Sequence, residues 1–386
     1  MSNISGKLTD FIYEVYEKIG TRPAGSSKEE MASHLVKTKL KDNSDEVFSE
    51  TFKCNPRAIQ HLITFLCTSY CFALLIYQIY PLLAFLIIVF SFVSLIFSRM
   101  FDIHIIDFFI KKQISQNIFA KLKPQSETKS ILIFSAHIDS PYVMKIFEEP
   151  FRKYIFLIKN TLIFLFSSLG LISLLDTFHW IPTFTAFFYV IPFVGILLVI
   201  LFQFLMVTYD ESFGANDNLS GVTIILELAK YFFYNRLQNT EIWICVFGSE
   251  ECGTVGSTFF VGEHYKELKN KARVLNLDSV ASGDLYVINK ESDVRGYHDK
   301  NMIESVLFAG KIANVRIKER AINGGSTDAT PFSWEKIPAT SIVAMDKCGI
   351  PIKYHVKDDL PQYISDIQLQ DVYKICVGVA NIIDGK

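Results

Sequence analysis

Apolar positions follow three different patterns along this chain. From Leu8 to Ile19 they recur at helical spacing. A turn-rich stretch follows, TRPAGSSKEE, in which Ser27 is placed to cap the next helix and Glu30, three residues on, completes a capping box. Asp45–Phe52 alternates as a strand does. The second pattern has no polar face. Ile59–Gln78 and Tyr80–Ser98 contain no Asp, Glu, Lys or Arg, and each reaches the length of about 20 residues that a helix needs to cross a bilayer. The link between them, around Gln78–Pro81, is short, so they form a helical hairpin. A second apolar pair covers about Tyr154–Leu175 and Thr183–Thr208. Lys159 sits near one end of it, where it can snorkel to the interface, and Pro192 is a kink that membrane helices tolerate.

The third pattern is short apolar runs separated by helical periodicity. Ser130–Ala136, Glu241–Phe247, Arg273–Leu277 and Ala339–Ala344 read as buried strands. Leu219–Tyr234 reads as a helix with Asp217 or Asn218 at its N-cap. Strands alternating with helices predict an α/β fold, a three-layer sandwich around a mostly parallel mixed sheet. The expected organisation is a globular domain made of residues 1–56, 100–153 and 209–386, with transmembrane hairpins inserted at 57–99 and 154–208.

Composition agrees with the membrane reading. Half of the 386 residues are hydrophobic, 34 of them Phe, and mean hydropathy is positive. Lys53, Arg57, Arg99, Arg152, Lys153 and Lys159 all flank the spans on the side shared by the globular segments, whereas the loops near Ile79 and Asp176–Pro182 carry no Lys or Arg. The positive-inside rule places both termini and the globular domain in the cytoplasm. Seven cysteines suit neither a disulfide framework nor a cysteine zinc site, which fits a reducing compartment. No signal-peptide core precedes the first helix. A net charge of −2 argues against nucleic-acid binding.

The chemistry gathers at strand ends. His137 and Asp139 follow the first buried strand as AHIDS, Glu250 and Glu251 follow the next as GSEECG, and Asp278 ends another as NLDS. Ligands bind outside the carboxyl ends of strands in open α/β sheets. Asp217 starts a helix in GANDNLSG, and His355 lies in a polar loop, YHVKDD. Imidazole mixed with carboxylate suits zinc or a substitute ion. Two His and three acids are too many ligands for one tetrahedral ion and suit two that share a carboxylate.

The strings AHIDS (136–140), GANDNLSG (214–221), GSEECG (248–253), NLDS (276–279), STDATPF (326–332) and YHVKDD (354–359), with IGTRPAGSSKEE at the start, resemble the M28 family of zinc aminopeptidases and related carboxypeptidases. The resemblance implies a zinc-exopeptidase-like fold, a peptide substrate and two divalent ions, Zn2+ by preference. His137 and Asp278 would hold one ion, Glu251 and His355 the other, and Asp217 would bridge them. Glu250 would be the general base, Asp139 would orient the His137 ring, and Tyr354 would donate to the tetrahedral intermediate. Two departures stand out. A membrane hairpin separates His137 from Asp217, where related soluble enzymes have a short loop. STDATPF replaces the Ser-Asp-His of many relatives, so Thr327 and Asp328 read as a helix N-cap. Alternatives are a carboxypeptidase, a glutaminyl-cyclase-like transferase, a non-catalytic membrane receptor or scaffold, and a transporter. His61 and Lys159 are notable exceptions in spans that hold hardly any ionisable residue, fewer than a transport pathway needs.

Overall fold

The computed structural model describes residues 7–101, 107, 110–180, 186–291, 296–322 and 325–385. In chain order the elements are α1 (Asp10–Lys18), α2 (Ser27–Lys41), β1 (Glu46–Cys54), α3 (Ala58–Ile76), α4 (Pro81–Phe101), β2 (Gln113–Leu122), β3 (Ser130–His137), α5 (Ile155–Thr177), α6 (Ala186–Met206) and α7 (Ser220–Tyr234). There follow β4 (Thr240–Phe247), α8 (Val255–Leu268), β5 (Ala272–Asp278), β6 (Asp284–Glu291), β7 (Gly296–Tyr297), α9 (Lys300–Ala313), β8 (Ile317–Ala321), α10 (Ala329–Trp334), β9 (Ala339–Met345) and α11 (Asp366–Asp384). The chain divides into two compact units, one of residues 1–56, 111–142 and 211–386, the other of residues 57–110 and 143–210.

The first unit is built on one sheet, with order β1-β2-β4-β3-β5-β9-β6-β7 and β8 paired to β6. Parallel pairing is confined to the centre, β4-β3-β5-β9, and to β6 with β8. The flanks β1-β2-β4 and β9-β6-β7 are antiparallel. The sheet is therefore mixed and only centrally parallel, not mostly parallel. The reason is that β2 leads into β3 through residues 123–129 and β5 into β6 through residues 279–283, connections too short for a helical crossover.

Side-chain alternation divides the sheet between two cores. Leu132, Phe134 and Ala136 of β3 face a layer with residues of α1, α2, α7, α9 and α11. Ile131 and Ile133 face the other layer, with Phe260 of α8 and Phe332 of α10. A strand displays successive residues on opposite faces, so a fully apolar run requires cover on both sides.

Two caps differ from expectation. Helix α2 is capped by Ser26, whose hydroxyl accepts from Glu29 N at 3.1 Å. The Ser-x-x-Glu pair is Ser26 and Glu29 because Glu29 is the buried member, while Ser27 and Glu30 face solvent. Helix α7 has Leu219 at its N-cap with no side-chain cap. Asp217 and Asn218 have non-helical backbones, and Asn218 caps the helix from one residue further out, its Oδ1 accepting from Gly221 N at 3.1 Å.

The second unit is a bundle of α3, α4, α5 and α6 around Tyr70, Ala73, Ile88, Leu165, Leu169 and Val199. Tyr70 donates to the carbonyl of Pro192 at 2.9 Å. A Cβ on Gly195 would meet Leu165 and the Tyr70 hydroxyl at 2.7 Å, so only glycine fits that crossing. Ala58–Ile76, Pro81–Ser98 and Arg152–Thr177 are long and apolar enough to cross a membrane, and Val190–Met206 is a shorter apolar stretch. Residues 181–185, at the expected start of the fourth span, lie outside the described residues.

Candidate metal centre

Strands β3, β4 and β5 run parallel, so their carboxyl ends share one edge of the sheet. That edge carries His137 at the end of β3, Glu250 and Glu251 in the 3-10 turn after β4, and Asp278 at the end of β5. Among the described residues, donor atoms lie within 4.8 Å of one another in three sets: His137, Asp217 and Asp278; Asp217, Glu251 and His355; and His137, Glu250 and Glu251. His137 Nε2 is 3.3 Å from Asp217 Oδ1, and His355 Nε2 is 3.4 Å from Asp217 Oδ2 and 3.1 Å from Glu251 Oε2. Asp217 is thus common to two sets.

Each loop is fixed by hydrogen bonds, many of them to its backbone. Asp359 accepts from the backbone N–H groups of Asn216 and Asp217, at 2.8 and 3.0 Å. Asn218 ties this turn to β5, donating to Leu277 O at 2.7 Å and accepting from Ser279 N at 3.2 Å. Asp139 accepts from Glu250 N and Glu251 N, each at 3.0 Å. His137 Nδ1 lies 3.2 Å from the Asp139 carbonyl and 3.5 Å from its carboxylate. Asp139 therefore orients the ring largely through its backbone, while its carboxylate holds the Glu250–Glu251 turn. Glu29 braces the same turn from below, accepting from Ser249 N at 3.0 Å. The half-buried Tyr354 stacks on His355, with ring centres 3.8 Å apart.

The electrostatics are those of a site built for cations. Burial pushes Asp278 up to about 8 and Glu251 up to about 7, with Asp217 adding to both. Burial also lifts Glu250 well above the carboxylate range, with Glu251, Asp328 and Asp278 adding and His137 opposing. Burial disfavours a charged His355, but Glu251 and Asp217 outweigh it and push the imidazole up to about 10. Asp217 is held low despite its burial, by His137 and His355. Buried His137 Nε2, Asp217 Oδ2 and Glu251 Oε1 have no hydrogen-bond partner among the described residues. Buried polar atoms are normally satisfied. This mix of orphaned imidazole and carboxylate donors around a shared Asp fits two divalent ions.

Sequence reasoning missed several supports. Arg22 is fully buried beneath the site. Burial pushes its guanidinium down to about 10, against the opposing fields of Asp139, Asp359, Asp217 and Glu29. Asp328 occupies the N-cap of α10 but makes no cap bond. It is buried, pushed up to about 7 first by burial, and close enough to Glu250 to raise it. Glu291 holds the turn before it, accepting from Thr327 N at 2.6 Å, Thr327 Oγ1 at 2.7 Å and Thr330 Oγ1 at 2.6 Å, and it pairs with His298 at 3.1 Å. Glu291 ends a strand of mixed polarity, DLYVINKE, so the sequence carried no sign of this network.

Residues 201–380 match the model of Peptidase family M28. Aminopeptidase YwaD of Bacillus subtilis is 30% identical over 168 residues, which are 41% of this chain and 35% of that protein. The chain thus spans about a third of the length of that relative. The fold is similar to that of BSAP, a zinc aminopeptidase from Bacillus subtilis, with a TM-score of 0.59 and 17% identity over 98% of this chain and 94% of that one. It is also similar to Fimbriiglobus ruber glutaminyl cyclase, with a TM-score of 0.56 and 15% identity over 97% and 93%. The matched segment is similar to that peptidase family and contains Asp217, Glu250, Glu251, Asp278 and His355 of the candidate site.

Proposed function

We propose that this chain is a membrane-embedded di-zinc exopeptidase that removes residues from peptide N-termini. The observation that carries this reading is the convergence of two ligand sets on Asp217, one with His137 and Asp278, the other with Glu251 and His355. A pair of bound zinc ions would lower the pKa of a water between them and polarise the scissile carbonyl. Glu250, whose carboxylate lies 3.8 Å from His137 Nε2, takes the water's proton and passes it to the leaving amine. Asp139 holds Glu250 in place through its backbone N–H. Tyr354, stacked on His355, donates to the oxygen that gains charge.

The apolar bundle is the membrane part, supported by its three long apolar helices. The lysines and arginines at its flanks support a cytoplasmic position for the globular unit and both termini. A glutaminyl-cyclase-like transferase is the competing reading, favoured by the comparable overlap with a solved glutaminyl cyclase.

One experiment separates them: metal analysis of the purified chain together with release assays on aminoacyl-anilides and N-terminal glutaminyl peptides. About two zinc ions per chain with anilide hydrolysis, lost on chelation and restored by zinc, is the expected result. One ion with cyclisation and no hydrolysis overturns it. Carbonate extraction with protease protection of the termini checks the membrane assignment.

A further inference from the structure

The second apolar insertion leaves the globular unit after Tyr142 and returns at Glu211. It therefore interrupts the unit between His137 and Asp217, the two candidate ligands on either side of it. Something has to hold the two ends of that excursion in register. Thr21 and Arg22 touch both ends. On the outgoing side, Arg22 Nε donates to Ile138 O at 2.8 Å, and Arg22 N donates to Ser140 Oγ at 2.8 Å. Ser140 N returns a bond to Arg22 O at 2.9 Å. On the returning side, Arg22 Nη1 donates to Phe213 O at 2.9 Å and Nη2 to Gly214 O at 3.3 Å, while Thr21 Oγ1 donates to the Glu211 carboxylate. The strands of this neck also meet directly, through an antiparallel bridge between Tyr142 and Glu211 and a bond from Ser212 N to Pro141 O at 2.9 Å.

We propose that the Thr21–Arg22 dipeptide is a neck clamp: it closes the base of the insertion and thereby sets the spacing of His137 and Asp217. A guanidinium suits the task because its planar fork reaches carbonyls on both chains at once, and it stays charged where an ammonium would shed its proton. Arg22 spends its donors on backbone carbonyls, at Gly20, Ile138, Phe213 and Gly214. It therefore fixes loop positions without competing for the carboxylates that take metal. Ile138 adjoins His137, and Gly214 is held in a left-handed turn where a Cβ would meet Asp217 O at 2.2 Å. Displacement of either carbonyl carries a candidate ligand with it. Arg22 is thus a positioning residue, acting through His137 and Asp217.

The inference rests on the di-zinc reading for its consequence but not for its geometry, and two readouts on the full-length, detergent-purified chain keep them apart. The first is zinc affinity by chelator competition. Arg22→Lys keeps a long basic side chain but loses the fork, and should weaken zinc binding by about 10–100-fold, the range typical of groups that orient metal ligands. Thr21→Val should give a smaller loss in the same direction. The second is amide hydrogen exchange without metal. Arg22→Lys should speed exchange about tenfold or more in residues 138–142 and 211–216, and leave β4 and β5 unchanged. Arg236→Lys is the control, since its guanidinium pairs with Asp45 away from the neck; it should alter neither readout. Wild-type zinc affinity with wild-type neck exchange in Arg22→Lys overturns the proposal, as does faster exchange spread evenly over the sheet. If the wild-type chain binds no zinc, the di-zinc reading fails and the exchange result alone decides the clamp. If Arg22→Ala does not fold, Arg22→Lys and Thr21→Val carry the test.

Discussion

The two units differ in what they leave exposed. In the sheet unit the large apolar side chains point inward, and Phe134, Trp243 and Phe260 are fully buried. In the helical unit many of them also point outward: Leu197 is 70% exposed, Phe204 69% and Leu75 72%. Its inner positions combine Tyr70, Ile88 and Leu169 with small or hydroxylated residues, with Ser91 and Ser94 buried and Gly195 at the tightest crossing. The serines return their hydroxyls to the helix itself, Ser91 to Ile87 O at 2.9 Å and Ser94 to Phe90 O at 2.8 Å. Burial from water drives the first arrangement. In the membrane proposed for the bundle, an apolar solvent would remove that drive between helices and leave close contact of small residues to take over. Buried polarity differs in the same way. In the bundle Ser91 and Ser94 are satisfied by their own helix; in the sheet unit His137, Asp217 and Glu251 gather orphaned donor atoms at one edge. That contrast marks one unit as support and the other as the place where chemistry occurs.

The largest effect that would sharpen this contrast is on turnover. Glu250→Gln should keep the fold and zinc content but lower kcat by about 10²–10⁴-fold, read from steady-state rates with metal analysis; near-normal turnover would remove Glu250 from its role. Next, Phe134→Ala should cost the sheet unit about 3–5 kcal/mol in denaturant unfolding, whereas Leu197→Ala should stay within about 0.5 kcal/mol in lipid or detergent. Equal losses would erase the difference between the two units. Leu197→Lys should cost about 3 kcal/mol of insertion, measured as the membrane-integrated fraction; a neutral result would mean that this face meets water.

Removal of zinc held at about a hundred times its dissociation constant should cost about 2.7 kcal/mol in the sheet unit and nothing in the bundle, seen as a fall in one thermal transition only. The smallest effect concerns Glu291. Burial alone would raise its carboxyl, but His298 and the threonine donors hold it below 4.5. A lowered folded-state pKa gives stability that is complete above the unfolded value and lost as pH falls through the folded one. Glu291→Gln should therefore lower stability by about 1–3 kcal/mol at neutral pH, and its gap from wild type should narrow below about pH 4.5. A gap independent of pH would count against the Glu291–His298 pair.

Much of the molecule was legible in one dimension. Uncharged runs long enough for a bilayer, and short apolar runs between helical ones, announce a bundle and a doubly covered sheet, because solvent acts on each residue in turn. The candidate ligands were legible too: His137, Glu251 and Asp278 follow or end readable strands, Asp217 precedes a readable helix, and His355 stands out in a polar loop. The antiparallel flanks were not: β2 and β6 are mixed in polarity, and only pairing defines them. Nor was the choice between neighbours. Ser26 caps rather than Ser27, Asn218 rather than Asp217, and Asp359 is buried while Asp358 is exposed. One residue of register selects the inward side chain, and the fold sets that register.

The sequence by itself determined the kinds of groups present, their order along the chain and the solvent each segment demands. Only the tertiary structure decided how residues far apart in the chain cooperate. It set Arg22 across the neck between Ile138 and Phe213, Glu29 under Ser249, and Glu291 behind Thr327. A side-chain bond to a distant backbone carbonyl leaves no periodic trace in sequence, because the carbonyl is the same in every residue and only folding brings it within reach.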